Sequence, residues 1–212
     1  MLFLDWEKAF DKVDQVMLIE AIKRLNIPDK TVNILKSFYT NPQFRIKDKE
    51  GVSGFRRQRA GIRQGCPLSP YLFILLMTVL FHDIHFEIDD KIAPFTNAAF
   101  ANWEILYADD TMIMGNRARE INIYLKQVEI ESAKYNLKLN NSKCFYIGMN
   151  GKADIHFADG TKVKKADDVT YLGGTITSDS SRNAEITSRM RKALATCHKL
   201  KLFERKNTAP TH

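Results

Sequence analysis

Two adjacent acidic residues, Asp109 and Asp110, stand between two apolar stretches at residues 103–107 and 112–114. This pattern predicts two strands joined by a tight turn, with the carboxylates at its tip. Carboxylates held so close repel one another, which pushes one of them towards protonation unless a cation lies between them. Mg²⁺ is a hard cation that binds carboxylate oxygens, so the pair indicates a metal site. The alternative is an ordinary Asp-rich turn, which the tetrapeptide by itself favours.

The longest apolar run, residues 71–81, is interrupted only by Thr78 and predicts a buried helix. Its eleven residues are fewer than the ~20 that cross a bilayer, so no membrane partner is expected. Met1 leads directly into Leu2-Phe3-Leu4-Asp5 without the basic region that starts a secretory signal, so no such signal is expected. The three cysteines are far apart and odd in number, which argues against a disulfide framework or a zinc site. We therefore expect a globular intracellular protein, either nuclear or cytoplasmic.

The net charge of +7 is unevenly distributed along the 212 residues. Segment 45–63 carries a net charge of +5 and segment 182–206 carries +6, which leaves −4 for the rest of the chain, including the Asp pair. Basic walls around acidic metal ligands are typical of a protein that holds a polyanion such as nucleic acid. Either basic segment alone is equally well explained as a solvated surface.

Apolar periodicity and turn residues predict strands and helices without regular βαβ alternation, which favours an α+β fold. Strands are predicted at residues 2–4, 43–47, 54–59, 103–107, 112–114, 143–149, 154–157, 161–164 and 169–172. Helices are predicted at residues 14–25, 30–39, 71–81, 117–135 and 183–203, and a loop at 91–102.

A third carboxylate, Asp5, follows the first predicted strand and would join Asp109 and Asp110 if the two strands were neighbours. Three such carboxylates can hold two Mg²⁺ ions about 4 Å apart, which suits in-line attack on a phosphoryl group. Taken alone, Asp5 is better explained as an acid that caps a helix.

A loop at residues 61–70 precedes the apolar helix. Its Arg63 and Gln64 offer hydrogen-bond donors to a phosphate or a base edge, and its glycines permit close approach of the backbone. In isolation this loop is more typical of an ordinary connection that caps a helix.

Five short blocks follow one another between residues 3 and 174: Phe3-x-Asp5-x-x-x-Ala9-Phe10-Asp11, Gly61-x-Arg63-Gln64-Gly65-Cys66-Pro67-Leu68-Ser69-Pro70, Tyr107-Ala108-Asp109-Asp110, Leu139-Asn140-x-x-Lys143 and Tyr171-Leu172-Gly173. In this order they closely resemble reverse transcriptases, above all those of non-LTR (LINE-like) retrotransposons. Each block alone is a weak to moderate signal, whereas the ordered set is specific and covers most of the chain.

The resemblance implies two-metal transfer of a deoxynucleotide to a primer 3′-hydroxyl on an RNA template. The metals would be two Mg²⁺ ions, with Mn²⁺ as a substitute, and the ligands would be Asp5, Asp109, Asp110 and the Trp6 backbone carbonyl. Lys143 would protonate the leaving pyrophosphate. The substrate site would be lined by Phe10, as a steric gate against a ribose 2′-hydroxyl, by Arg63, Gln64 and Gly65, and by Tyr107 packed beneath the catalytic turn.

The partners implied are an RNA template, a DNA primer and dNTPs. Tyr171, Leu172 and Gly173 would form the primer grip, and Arg189 and Lys192 would contact the template–primer backbone. The implied fold is a polymerase palm, an antiparallel sheet with helices on one face, at residues 1–175, with a partial fingers insertion at about 40–65. The start of a helical thumb would occupy residues 176–212.

The fingers blocks that precede the Asp5 block in this family are expected to be missing, and the thumb is expected to stop short. Two alternatives stay open. A catalytically inactive, nucleic-acid-binding remnant of a retroelement would share every block. Another palm enzyme, such as a nucleotide cyclase, would not be expected to carry the Gln64-Gly65 and Tyr171-Leu172-Gly173 blocks.

Overall fold

The computed structural model describes residues 1–88, 91, 104–149, 153–179 and 181–207, the side chains of Ala184 and of residues 200–207 excepted. Apart from Lys91, the predicted loop 91–102 lies outside the described residues, as does Trp103 at the start of a predicted strand. The chain forms two compact units, Met1–Phe145 with Ala153–Val163, and Tyr146–Lys152 with Lys164–His212. In chain order the elements are β1 (Leu2–Leu4), α1 (Ala9–Lys12), α2 (Gln15–Arg24), α3 (Asp29–Tyr39), β2 (Gln43–Phe44), β3 (Arg56–Arg57), α4 (Ser69–Ile88), β4 (Glu104–Tyr107), β5 (Asp110–Ile113), α5 (Ala118–Lys134), β6 (Phe145–Tyr146), β7 (Lys164–Lys165), β8 (Asp168–Tyr171), β9 (Gly174–Thr177) and α6 (Asn183–Asn207).

The sheet of the first unit is built around β5, which lies between β4 and β1 and is antiparallel to both. All three residues of β1 are buried, and Phe3 stacks on Phe145 of β6 with ring centroids 5.2 Å apart. A short strand that is apolar on both faces is typical of a sheet covered on both sides. The expected α+β fold is confirmed, since this sheet is combined with helices that follow no βαβ order.

Apart from α4, the predicted helices begin and end where the sequence indicates, to within a few residues, because local signals mark their ends, whereas the short α1 was not predicted. Asp14 caps α2 by accepting hydrogen bonds from the backbone N–H groups of Val16 and Met17. Asn26 adopts a left-handed conformation with φ of 55° just beyond α2, as residues that terminate helices often do. In the first unit α4 packs against both α2 and α5.

Helix α4 continues to Ile88, beyond the predicted end at Phe81. Its 20 residues are long and apolar enough to cross a membrane by length and composition, yet half of the most apolar window is buried inside the protein. The fully buried side chains include Phe73, Leu76 and Leu80, so α4 is a core helix of the first unit.

Five predicted strands are shorter in the structure. The strand predicted at residues 143–149 is reduced to β6, and the hairpin predicted around Asp159-Gly160 is reduced to a single bridge between His156 and Lys162. The hairpin predicted across residues 43–59 is present as β2 and β3, with a further bridge between Lys47 and Val52.

The second unit contains an antiparallel hairpin formed by β8 and β9, followed by α6. The predicted strand 169–172 corresponds to β8, whereas β9 was not predicted. Residues Leu172 and Gly173 form the two-residue turn, with φ of 48° and 81°. Positive φ at both positions is the signature of a type I′ turn, whose twist matches that of the flanking strands.

Candidate active site

The hairpin β4–β5 carries the Asp pair at its tip. Tyr107 and Asp110 are paired across the hairpin, which leaves Ala108 and Asp109 as a two-residue turn. Ala108 has φ of 53°, a left-handed conformation that costs a non-glycine residue about 1–2 kcal/mol. Asp109 is the second turn residue and Asp110 is the first residue of β5. The two acids therefore lie at the tip of the hairpin, as the sequence predicts.

Asp5 stands directly after β1, on the strand beside β5. The register pairs Leu4 with Thr111, so the next pair along the two strands is Asp5 and Asp110. Directly opposite residues in an antiparallel pair have Cβ atoms about 5 Å apart. The pKa of Asp110 is raised, first by its burial and then by repulsion from the negative charges of Asp109 and Asp5. Asp5 is therefore not a helix cap, a position that Lys8 occupies for α1.

The donor set of three carboxylates fits a hard divalent cation such as Mg²⁺ in its chemistry. In the side-chain positions of the described residues, however, no three acidic, His or Cys groups lie close enough to enclose a metal ion. The positive charge nearest Asp5 is the ammonium of Lys143, with Nζ 3.7 Å from Asp5 Oδ1. Asp5, Asp109 and Asp110 are thus neighbours on the backbone, and shared ligation requires their side chains to turn towards one another.

Trp6 connects the two strands beneath the acids. Its buried indole N–H donates to Thr111 Oγ1 over 3.1 Å, so the side chain after Asp5 is tied to the one after Asp110. The backbone of Trp6 pairs with Leu139, flanked by hydrogen bonds from Asn140 N to Asp5 O and from Glu7 N to Lys138 O. In such a non-hydrogen-bonded pair the Trp6 carbonyl points away from Leu139. That orientation is compatible with the ligand role implied for it.

Lys143 is positioned by a turn that starts at Asn140. The Asn140 carbonyl accepts hydrogen bonds from the backbone N–H groups of Lys143 and Cys144, at 2.9 and 3.1 Å. Asn140 N itself donates to Asp5 O. The turn is therefore anchored to the backbone of Asp5, which explains why Lys143 reaches the carboxylate of that residue.

An open pocket of about 400 Å³ lies at the start of α4 and contains three of the predicted substrate-site residues, Phe10, Gln64 and Gly65. The ring of Phe10 stacks on Phe73 with centroids 4.5 Å apart, which holds it at the pocket wall. Gln64 Nε2 donates to Asp11 Oδ1 over 2.7 Å. The structure thus brings Phe10, from the block that contains Asp5, and the loop at residues 61–70 together around one cavity.

Arg63 and Tyr107 do not take the positions expected of them. The Arg63 guanidinium donates to the carbonyl of Phe38 over 2.9 Å and is not among the residues that line this pocket. Tyr107 is 63% exposed, so the expectation that it packs beneath the catalytic turn is wrong. The reason is that Tyr107 lies on β4, an edge strand of the sheet, with β5 as its neighbour on one side.

The predicted primer-grip and thumb residues belong to the second unit. Tyr171, Leu172 and Gly173 form the end of β8 and the turn of the β8–β9 hairpin. On α6, Arg189 donates to Glu185, one helical turn earlier, and Glu185 also accepts from Thr175 N. These interactions lower the pKa of Glu185 to about 2. Arg189 is therefore already paired.

Several residues that shape the site were not recognised as functional from the sequence. Asp11 was part of a block without an assigned role, yet it holds Gln64. At the start of β4, Glu104 accepts a hydrogen bond from the buried Tyr124 hydroxyl at 2.9 Å and lies 3.0 Å from His85 Nε2. This cluster ties β4 to α4 and α5, and its members are too far apart in sequence to be recognised as a group.

Comparisons with known proteins agree on the family to which the chain is related. The chain is 26% identical over 183 residues to the Pol polyprotein of the type-2 retrotransposable element R2DM of Drosophila melanogaster, covering 80% of this chain and 17% of the relative. It is 26% identical over 219 residues to the probable RNA-directed DNA polymerase of transposon BS of the same species, covering 98% of this chain and 23% of the relative. The chain therefore spans less than a quarter of the length of these relatives.

Solved structures agree on the fold. The apo telomerase of Candida tropicalis matches with a TM-score of 0.61 at 19% identity, covering 83% of this chain and 33% of the telomerase. The Candida albicans telomerase in complex with a telomeric RNA fragment matches with a TM-score of 0.59 at 13% identity, covering 85% of this chain and 29% of the telomerase. The family model for reverse transcriptase (RNA-dependent DNA polymerase) matches residues 1–176. The chain thus belongs to the reverse transcriptase family and is related to the enzymes of non-LTR retrotransposons.

Proposed function

We propose that this chain is the polymerase core of an RNA-directed DNA polymerase, which transfers a deoxynucleotidyl group to a primer 3′-hydroxyl on an RNA template. The observation that carries the proposal is the register of β1 against β5, which brings Asp5, the residue after β1, towards Asp110, the first residue of β5, with Asp109 on the adjacent turn. Burial first, and then the negative charges of Asp109 and Asp5, raise the pKa of Asp110. Such a cluster is most stable when a cation neutralises it.

Asp5, Asp109 and Asp110, together with the Trp6 carbonyl, would hold two Mg²⁺ ions, and Mn²⁺ would substitute. When bound, these ions activate the attacking hydroxyl and neutralise charge on the phosphates. The hydrogen bond from Trp6 to Thr111 keeps β1 and β5 in register, so that the acids approach the reacting phosphate from one side.

Lys143 acts as the proton donor in this proposal. Its Nζ lies 3.7 Å from Asp5 Oδ1, so its positive charge is already held beside the metal ligands. As the bond between the α-phosphorus and the bridging oxygen breaks, Nζ–H gives a proton to that oxygen of the leaving pyrophosphate. The 3′-hydroxyl proton passes to a solvent water molecule as the primer oxygen forms the new bond to phosphorus.

The incoming dNTP occupies the pocket beside Phe10. Stacking on Phe73 restrains the Phe10 ring, which suits it to exclude a ribose 2′-hydroxyl by steric contact. Gln64 and Gly65 line the same pocket, and the bond from Gln64 to Asp11 positions the loop. Arg63, held by the Phe38 carbonyl, would support this loop rather than contact the nucleotide directly.

The remaining assignments follow the family. Residues 1–175 would form the palm, with residues 40–65 as a partial fingers insertion, and 176–212 would begin the thumb. Tyr171, at the end of β8, and the turn residues Leu172 and Gly173 would contact the primer, and Lys192 of α6 would contact the nucleic-acid backbone. We propose that the protein acts inside the cell, in the nucleus or the cytoplasm.

Extension of a DNA primer annealed to an RNA template, with Mg²⁺ or Mn²⁺ and dNTPs, tests the proposal. Wild type should extend the primer, Asp109→Asn should not, and Asp29→Asn, which removes an equal charge from the exposed start of α3, should behave as wild type. Extension that survives in Asp109→Asn would reject the mechanism. Primed template bound by the wild type without any extension would support the inactive remnant instead.

The proposed role of Phe10 as a steric gate can be tested separately in a protein that extends primers. Phe10→Val should increase incorporation of ribonucleotides relative to deoxynucleotides, because the smaller side chain leaves room for the 2′-hydroxyl. Unchanged discrimination would remove Phe10 from that role, while the proposal for the acids would stand.

A further inference from the structure

The side chain of Cys144 contacts the backbone of Asp5 within the first unit. Cys144 is fully buried, and its Sγ accepts a hydrogen bond from Asp5 N over 3.4 Å. The same thiol donates to Asp5 O over 3.8 Å. One side chain therefore contacts both peptide groups that flank the Asp5 carboxylate.

The size of sulfur sets the spacing of this contact. A thiol is both a weak hydrogen-bond donor and a weak acceptor, so one Cys side chain can serve an N–H and a carbonyl together. The 3.4 Å from Asp5 N to Sγ exceeds the ~2.9 Å of an ordinary N–H···O bond. A smaller acceptor at this position would draw the Asp5 backbone towards residue 144, and an apolar side chain would remove this acceptor from the Asp5 N–H.

The turn that carries Cys144 engages Asp5 in two further ways. Asn140 N donates to Asp5 O over 2.8 Å, and Lys143 Nζ lies 3.7 Å from Asp5 Oδ1. Lys143 and Cys144 are consecutive, and they contact the carboxylate and the backbone of Asp5 respectively. On its other side Asp5 faces β5, since the preceding residue, Leu4, is paired with Thr111. The position of Asp5 relative to β5 therefore depends on how this turn holds its backbone.

We propose that Cys144 is a positioning residue for the candidate metal site, because its thiol fixes the Asp5 backbone and thereby the placement of the Asp5 carboxylate beside Asp110. The metal-binding part of this inference rests on the proposed function, whereas the contact between the thiol and Asp5 does not. Cys144 itself touches neither metal nor nucleotide in this role.

A displaced Asp5 should affect Mg²⁺ more than Mn²⁺. Mg²⁺ requires nearly ideal octahedral geometry, so it is sensitive to the position of each carboxylate. Mn²⁺ is larger, and its half-filled d shell imposes no preferred geometry. The ratio of the two affinities therefore reports on the geometry of the site, which a general loss of stability would leave unchanged.

The contact itself is tested on the Asp5 amide. Leu4-Asp5 is the only Leu-Asp step in the sequence, so labelling with ¹³C-carbonyl Leu and ¹⁵N-Asp gives a single peak in a two-dimensional HNCO spectrum, that of Asp5. Deuterium exchange of this amide is measured without metal in wild type, Cys144→Ala and Cys144→Ser. Cys197→Ala controls for the loss of an exposed thiol, and Val128→Ala, at a fully buried position of α5, controls for lost core stability.

Exchange of the Asp5 amide should be about fivefold faster in Cys144→Ala than in wild type, as expected when a hydrogen bond worth about 1 kcal/mol is lost. This acceleration should exceed what the change in the free energy of unfolding explains, whereas in Val128→Ala it should not. Cys144→Ser should lie between wild type and Cys144→Ala, because its hydroxyl restores an acceptor on a shorter bond. Cys197→Ala should match wild type.

Metal binding is measured by electron paramagnetic resonance of Mn²⁺, with Mg²⁺ as competitor. Cys144→Ala should weaken Mg²⁺ binding about tenfold, the usual effect of removing a group that orients a metal ligand, and should weaken Mn²⁺ binding less. The ratio of the two affinities should stay at the wild-type value in Cys197→Ala and Val128→Ala. In primer extension, Cys144→Ala should need more Mg²⁺ for half-maximal rate, with an unchanged KM for dNTP.

Unchanged exchange of the Asp5 amide in Cys144→Ala would overturn the proposal. So would a Cys144→Ser variant that behaves like Cys144→Ala, or an equal change of the Mg²⁺ to Mn²⁺ ratio in Cys144→Ala and Val128→Ala. A wild type that binds neither ion would refute the metal site of the proposed function. A wild type that binds both, with unchanged Mg²⁺ affinity in Cys144→Ala, would refute the role of Cys144 alone.

Discussion

Gly61 lies at the closest backbone contact around the candidate site, and its replacement by Ala gives a sharp test of the structure. Gly61 N donates to Val13 O and Ile62 N donates to Phe10 O, each over 2.7 Å. A Cβ at Gly61 would lie 2.6 Å from the Asp11 carbonyl oxygen and 2.9 Å from the carbonyl carbon. That is closer than real Cβ contacts, so the loop that carries Gln64 must move away from Asp11.

Gly65 provides a matched control in the same loop. Its φ of 79° is close to the 85° of Gly61, yet a Cβ at Gly65 would meet nothing within 4 Å. Both substitutions therefore incur the strain of a left-handed Ala, about 1–2 kcal/mol. Both substitutions also stabilise the folded state by about 0.4–1 kcal/mol, because Ala restricts the unfolded chain more than Gly does. The difference between the two variants isolates the steric contact with Asp11.

That contact sets the expected magnitude. Overpacking against a fixed neighbour costs about 1–3 kcal/mol, and a loop that relaxes instead gives up hydrogen bonds worth about 1 kcal/mol each. The free energy of unfolding should thus fall by about 3 kcal/mol in Gly61→Ala and by about 1 kcal/mol or less in Gly65→Ala.

Urea unfolding followed by tryptophan fluorescence measures this difference. Trp6 is 4% exposed and reports on the first unit when the second tryptophan is removed by Trp103→Phe. With a slope of about 2 kcal/mol per molar urea, the midpoint of Gly61→Ala should lie about 1 M below that of Gly65→Ala. Equal midpoints for the two variants would refute the close approach of Gly61 to Asp11.

Three further predictions concern the strands and turns of the site. Thr111→Val should lower the free energy of unfolding by about 1–3 kcal/mol in urea melts, because the buried Trp6 N–H loses its acceptor, and Thr111→Ser should restore it. Asp110→Asn should raise the melting temperature near neutral pH, since the folded state raises the pKa of this carboxyl and so disfavours its charged form. The gain should disappear on titration below the ordinary pKa of 3.8. Leu172→Asn should raise the melting temperature slightly, because Asn tolerates φ of 48° better than Leu does.

Each of these predictions has an outcome that contradicts it. Thr111→Val with wild-type stability would mean that water or another group satisfies the Trp6 indole. A stabilisation by Asp110→Asn that persists at pH 3 would show that the gain comes from packing and not from charge. A lower melting temperature for Leu172→Asn would show that the Leu side chain contributes more through contacts than its backbone conformation costs.

Local patterns predict the elements that lie closest to the acids. Two carboxylates between alternating apolar residues predict the β4–β5 hairpin, because side-chain alternation and a tight turn that contains an acidic residue are local properties. The capping oxygen of Asp14 predicts the start of α2 for the same reason. The ordered blocks also predict the family correctly, since block spacing is a property of the chain itself.

What the sequence cannot reveal is how distant segments are paired. The opposition of Asp5 and Asp110 depends on the register of β1 against β5, about a hundred residues later in the chain. Likewise, whether Tyr107 is buried depends on where β4 lies in the sheet, and an edge strand leaves it exposed. Strand β9 was missed because the Gly173-Gly174 pair resembles a loop, whereas Gly173, with φ of 81°, belongs to the β8–β9 turn and Gly174 is the first residue of β9.

Left-handed residues other than glycine occur in three of the segments assigned to the site, Lys8, Ala108 and Leu172, with φ of 51°, 53° and 48°. Each costs about 1–2 kcal/mol, and strain of this kind persists only where the surrounding structure over-determines it. For Ala108 the source of that constraint is visible, because β5 is paired on both sides and its Met112 and Ile113 are buried. Lys8 is constrained by its neighbours on either side: Glu7 N donates a hydrogen bond to Lys138 O, and the Phe10 ring stacks on Phe73. The geometry of the acids is thus maintained by the packing of the sheet behind them, so core substitutions that loosen β1 against β5 should displace Asp5 and Asp110 without touching either.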